Sequence, residues 1–271
     1  KTKLLTSVVL AGLMAGGLGA CSLIAPDPME QAREAFAAQN YHAAREDVLR
    51  ALQDNGSDPV ALELLARIQL AMGLGADVPA TLERLESAGG TPADVKLIEA
   101  EALLQMGEHQ LALGVLEGEG NADSWRLRAL AANMSGKRAE AEAAFLRGRE
   151  AEGDKRKLYV AEASHHLSHG NADAARFAVG QAQRLSPGSI ETLFVSARLA
   201  QLDGQPNLAS RAYLAILELT PTDRPALLGA IAELDKLGRI DLIPDLIQRG
   251  RTAYPQDIEF IYLTASLQAY E

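Results

Sequence analysis

The stretch SWRLRALAANMSGKRAEAEAAFLRG, Ser124 to Gly148, reads as two helices and the turn between them. Trp125, Ala129 and Ala132 recur at helical spacing and so share one face of a first helix. Gly136 punctuates, because a helix stop favours a left-handed residue without a Cβ. Ala141, Ala144 and Phe145 then form the apolar face of a second, antiparallel helix. Ala129 and Ala141 are small, which lets the two backbones approach closely.

Outward from this pair the same residues recur. Ala32, Ala66, Ala100, Ala129, Ala163, Ala197 and Ala265 keep a step of 34 residues, with Ile231 holding the place before the last and one step shortened to 29. Gly73, Gly107, Gly136, Gly170, Gly204 and Gly238 each follow seven residues after the ladder residue of their own unit, and Gln39 replaces Gly after Ala32. Ala44, Ala112, Ala175 and Ala209 occupy the place of Ala141 in their units. Pro187, Pro221 and Pro255 close second helices, since Pro has no amide hydrogen and clashes with the preceding turn. A period of 34 is that of a helix–turn–helix repeat. No single unit buries enough apolar surface alone, so the units are stable only as a stack.

Three departures are expected to show in the packing. The second unit carries Val78 and Pro79 where a small residue belongs, and the seventh has Ile231 and Ile243 at its two small positions. Both units are expected to tilt. The short step falls in Glu117-Gly118-Glu119-Gly120-Asn121, so that second helix must end early. A local kink in a continuous array is the simpler expectation, and a hinge between two half-arrays the alternative.

The pattern Trp125, Ala129, Gly136, Ala141, Phe145, followed by Gly170, Ala175, Ala182 and Pro187, resembles the tetratricopeptide repeat. The resemblance runs from Met29 to the C-terminus. It implies an all-α fold, a right-handed superhelical solenoid of antiparallel helix pairs, spanning residues 29–271. It also implies a concave face built from first helices that binds a peptide or a partner protein. On this register the groove is lined by Glu63 and Arg67, Leu97 and Glu101, Arg126 and Leu130, Val160 and Ser164, Phe194 and Arg198, and Leu228 and Ala232. The Lys/Asn-rich arrangement with which chaperone-binding members clamp a terminal carboxylate is not among them, so an acidic C-terminal peptide is not the expected ligand.

The N-terminus points to a membrane anchor. Lys1 and Lys3 precede an apolar run from Leu4 to Leu18, the length of a signal-peptide core and short for a membrane span. Leu18-Gly19-Ala20-Cys21 resembles the bacterial lipobox, in which the signal, here residues 1–20, is cut before a Cys whose thiol carries a diacylglycerol. Cys21 is the single cysteine, so it is the expected lipidation site. Each buried CH₂ contributes ~0.8 kcal/mol, so two or three acyl chains hold a protein stably. Residues 21–28 then form a Pro-containing tether. By the sorting rule of enterobacterial lipoproteins, Ser22 in place of Asp implies the outer membrane, facing the periplasm.

Charge and chemistry narrow the function. Without Lys1 and Lys3 the 26 basic residues fall to 24 against 36 acidic ones, a net charge of −12. Such a chain has no electrostatic reason to bind nucleic acid. No disulfide is available to the mature chain. Neither a zinc-protease His-Glu pattern, a phosphate loop nor a Gly-x-Ser-x-Gly elbow is present. No enzyme activity and no cofactor are therefore expected. His165 and His169, four apart, could share a metal on one helical face, but no third ligand with matching spacing is evident. His166 falls at a bulky core position. The expectation is a packed helix and no metal.

Two functions compete on these terms. One is a lipid-anchored scaffold assisting an envelope machine for pilus assembly, outer-membrane biogenesis or exopolysaccharide export. The other is a regulatory adaptor recruiting a cell-wall enzyme, and a metal- or small-ligand-binding protein using the histidines is a distant third. The chain starts at Lys1, and Ile258 to Glu271 reads as a first helix. Its Ile261 and Leu267 favour a continuing array over a solvating cap, a reading that a stop codon directly after Glu271 would defeat.

Overall fold

Helix pairs follow one another through the computed structural model, which describes residues 27–270 and their side chains as far as 267. The proposed signal, Cys21 and most of the tether lie outside the described residues. Seven pairs are formed: α1 (Pro28–Ala37) with α2 (Tyr41–Asp54), α3 (Pro59–Ala71) with α4 (Val78–Ser87), α5 (Val95–Gln105) with α6 (His109–Val115), and α7 (Ala122–Met134) with α8 (Arg138–Glu150). Then come α9 (Arg156–Ser168) with α10 (Ala172–Leu185), α11 (Ile190–Leu202) with α12 (Pro206–Leu219), and α13 (Arg224–Lys236) with α14 (Ile243–Ala253). An eighth first helix, α15 (Ile258–Tyr270), follows them. No strand occurs among the described residues.

The boundaries have local causes. Asp27, Asn40, Asp58, Asn121, Asn171, Ser189 and Asp223 each accept a backbone N–H in the first turn of the helix they precede. Several helices also open on proline, as at Pro28, Pro59 and Pro206, where the missing amide hydrogen has no helical partner to lose. Pro187, Pro221 and Pro255 each stand two residues beyond the end of a second helix.

The glycine ladder closes first helices. Gly136 has φ +70°, its N–H donates to Asn133 O, and the N–H of Lys137 reaches back to Ala132 O at 2.9 Å. This is the two-bond termination that needs a left-handed residue. Gln39 makes the same turn, with φ +58° and the bond from Asn40 N to Ala35 O at 2.8 Å. A side chain there is strained, by ~1–2 kcal/mol for an L-residue. Gln39→Gly is expected to stabilise the first pair by about 0.5–1 kcal/mol after the entropy cost of the freer glycine. Denaturant unfolding of the two proteins measures it.

Packing follows the ladders. Ala32, Ala66, Ala100, Ala129, Ala163 and Ala197 are completely buried, as are Ala44, Ala112, Ala141, Ala175 and Ala209 across from them. At the two units with large residues in these places, a turn of 3-10 helix precedes the second helix, Gly75–Asp77 before α4 and Ile240–Leu242 before α14. Val78 and Ile243 are buried at those junctions. Gly75 packs so tightly on α5 that a Cβ would meet Gln105 Cβ at 2.7 Å.

The shortened step is a kink in a continuous core. Helix α6 has 7 residues where α8 has 13, and Gly118 turns the chain with φ +82°. Arg128 donates to the carbonyls of Leu116 and Glu119 at 2.6 and 2.8 Å, satisfying acceptors that the truncated helix leaves open. One apolar cluster runs across the step from Ala100 and Leu104 through Leu116 to Leu127 and Ala131.

Candidate functional site: the face of first helices

First helices α1, α3, α5, α7, α9 and α11 touch one another in succession, whereas second helices pack against first helices. A layer whose members crowd together is the inner layer of a curved stack. The curl is tight enough that Gln39 Nε2 donates to Glu191 Oε1 at 3.2 Å, across 152 positions of sequence. Beyond α11 the row opens.

In the N-terminal half the groove charges are engaged with each other. Arg67 Nη1 and Nη2 donate to the two oxygens of Asp94 at 2.9 and 2.8 Å, and its Nε donates to Glu63 Oε1 at 3.1 Å. These bonds tie α3 to the start of α5. The Arg67 hydrogen bond holds the Asp94 carboxyl below its ordinary value. A depressed carboxyl pKa contributes stability above the unfolded-state value and loses it as pH falls toward the folded one. Asp94→Asn is therefore expected to lower stability at neutral pH and to flatten the acid limb below about pH 4. Thermal unfolding of both proteins from pH 7 downward tests this.

Arg126 departs from its expected place. The register puts it on the groove lining, but the residue is only 5% exposed. Its guanidinium donates to Glu101 Oε2 at 2.8 Å and also pairs with Asp123, joining α5 to α7 beneath the surface. The pairing of an arginine with carboxylates one unit back and three residues back gives a fully bonded side chain, not a free contact for a partner. Leu97 is half-buried against the core of the third and fourth units, and Val160 against that of the fifth and sixth.

Two cavities lie where the expected groove residues remain accessible. One of about 430 Å³ sits between α7 and α9, lined by Leu130, Asn133, Ser164, His165, Ser168 and His169. The other, about 780 Å³, is bordered by α13, α14 and α15, with Leu228, Ile231, Ala232, Ile243, Tyr262 and Leu263 in its walls. Between them, Phe194 is half-buried, with its ring 6.2 Å from that of Tyr213, while Arg198 is exposed. Phe194 therefore has a packing role as well as a place on the groove. On α15, Ile258 and Tyr262 are 81% and 70% exposed, so this helix presents apolar side chains to solvent.

The His165 and His169 rings lie side by side as their spacing predicts, with centroids 4.5 Å apart, but the potential metal donors are a different set. His165 and His166 are buried, and among the described residues the group of possible metal donors is Glu142, His165 and His166, with Glu142 supplied by α8. His169 Nδ1 instead donates to the backbone carbonyl of His165 at 2.7 Å. Burial pushes the pKa of both inner imidazoles down. Glu142 was missed because its partners are on the next unit. Its signal was positional: it follows the crossing residue Ala141, and the neighbouring unit carries histidine where the repeat calls for a bulky apolar residue.

No protein-family model and no curated protein matches the chain. Solved structures do. A thermophilic tetratricopeptide-repeat protein of Thermus thermophilus shares 26% identity over 65% of this chain and 96% of its own, with a TM-score of 0.54. The Cut9–Hcn1 hetero-tetramer of the APC/C aligns at a TM-score of 0.63 and 13% identity, covering 90% of this chain and 49% of that one. PilW, a type IV pilus biogenesis factor, aligns over 88% of this chain and 96% of its own at 13% identity, TM-score 0.50. The fold is thus an all-α tetratricopeptide-repeat solenoid.

Proposed function

We propose that this chain is a protein-binding scaffold tethered to the bacterial envelope through a lipid on Cys21, serving an assembly or export machine on the periplasmic side. The observation that carries the binding role is the inner face of first helices, close-set from α1 to α11 and open beyond, which keeps two accessible clefts after its N-terminal charges have paired internally. The larger cleft has apolar walls and the smaller is lined by Leu130 among serine, asparagine and histidine side chains, a combination that suits an extended segment or a helix of a partner. The partner's anchors would seat on Leu130 and Ser164 at one cleft and on Leu228 at the other, with Arg198 between.

The anchoring half of the proposal rests on the lipobox-like Leu18-Gly19-Ala20-Cys21 and the basic, apolar segment before it. No helix among the described residues is long and apolar enough to cross a membrane. Pilus biogenesis is the role named for PilW, and its likeness in fold makes a pilus or secretion machine the first partner to try. Cys21→Ala is expected to leave either uncleaved precursor or a soluble periplasmic protein. Membrane fractionation tests it, and a cleaved mutant that still resists alkaline carbonate extraction would overturn the anchor.

A further inference from the structure

We propose that Glu142, His165 and His166 bind a divalent transition-metal ion, with zinc as the natural probe, at the junction of α8 and α9. One potential donor atom from each residue lies within 4.8 Å of the others. His165 and His166 are 3% and 6% exposed, so neither ring is solvated by bulk water.

The hydrogen bonds set the tautomer of His165. Its Nδ1 is 2.7 Å from Asn133 Oδ1, and in this orientation of the amide, whose oxygen only accepts, Nδ1 carries the proton. The lone pair is therefore on Nε2, which is buried and has no hydrogen-bond partner. The atom facing it at 3.7 Å is Glu142 Oε1, itself a lone-pair donor. The buried lone pair of His165 thus faces a half-exposed carboxylate oxygen, two acceptors that repel, and a cation between them turns that repulsion into ligation. His166 adds a second orphan, since its Nδ1 is also buried without a partner. Its Nε2 lies 3.7 Å from Glu162, whose carboxylate is already engaged by Arg149.

The donor set has a definite preference. Two neutral imidazoles and one carboxylate, with no thiolate, suit Zn²⁺, Ni²⁺, Co²⁺ or Fe²⁺ rather than Cu⁺ or Ca²⁺. The Asn133 bond to the distal nitrogen of His165 is the kind of support that orients metal-ligating histidines. Bond lengths of about 2.0–2.2 Å require the donors to close in by roughly 1 Å from their present spacing. Glu142 can supply most of that movement, because it is half-exposed and its other bond is to the Arg138 side chain at the surface. Glu142 is half-exposed, so the ion can reach the donors from its side, and His165 borders the cleft between α7 and α9. The ion would join the fourth repeat to the fifth.

The test uses the full chain without an affinity tag, stripped by a chelator and titrated with Zn²⁺ and, for its visible absorption bands, Co²⁺. Wild type is expected to retain one equivalent through gel filtration and to melt several degrees higher when loaded. Glu142→Gln, at a half-exposed site that spares the fold, is expected to weaken binding at least tenfold and to abolish the melting shift. His42→Gln and His169→Gln should behave as wild type. Failure of wild type to retain metal, or equal binding by wild type and Glu142→Gln, would overturn the site. So would loss of binding in His169→Gln alone, which would return the ion to the pair of His165 and His169.

Discussion

Phe145→Ala is expected to destabilise the array by about 3–5 kcal/mol, the cost of emptying a fully buried aromatic site. Phe145 packs with Ala129, Ala132, Ala141 and Leu158, and its ring centroid is 5.5 Å from that of His165. It thus bonds the fourth pair to the fifth in the middle of the solenoid. In a repeat array stability is close to a sum of units and nearest-neighbour interfaces. Weakening this interface should therefore split one unfolding transition into two, with the halves melting separately. Calorimetry reads both the loss and the splitting. A single transition shifted by less than about 1 kcal/mol would show that the interface is not where the structure places it.

The opposite error in volume is the next largest effect. Ala141→Leu adds three carbons where α7 and α8 cross and where no solvent reaches, and overpacking of this kind costs roughly 1–3 kcal/mol. Ala139→Leu, on the exposed side of the same helix, should stay within about 0.5 kcal/mol of wild type. Urea unfolding of the two variants side by side measures the difference, and equal costs would mean that the helical register is wrong.

The fold was legible because each of its requirements has one residue type that meets it. A helix crossing needs a small residue, a left-handed stop needs glycine, and a strict termination is met by proline. Gln39 shows how far a ladder can bend, since it adopts the glycine conformation at a cost in strain. The inserted 3-10 turns were readable only as a disturbance at Val78 and Ile243, not as a structure, because their form depends on what α5 and the end of the array leave room for.

The site was less legible, for a physical reason. A register says which side of a helix a residue occupies, and not which charges on the next helix it meets. Arg67 and Arg126 lie on first helices as expected, yet Asp94 and Glu101 of adjacent units neutralise them. Apolar positions divide: Leu97 and Val160 pack against the core, whereas Leu130 and Leu228 border clefts. The histidine cluster was legible within its helix, where the His165 and His169 rings lie 4.5 Å apart, but not across to the next one. Spacing within α9 set His165 beside His169, and packing against α8 adds Glu142, which no spacing within one helix shows.

Site-specific photocrosslinking in living cells tests the central claim, that the inner face is the binding surface. A crosslinking residue would replace Ser164 and Leu228, in the two clefts, and Leu146 and Leu208, exposed on second helices α8 and α12. The scaffold reading predicts a discrete adduct from both cleft positions, lost when Arg198→Glu is added, and none from the second-helix positions. Adducts formed only from Leu146 and Leu208, or cleft adducts unaffected by Arg198→Glu, would contradict it and move the binding surface off the first helices.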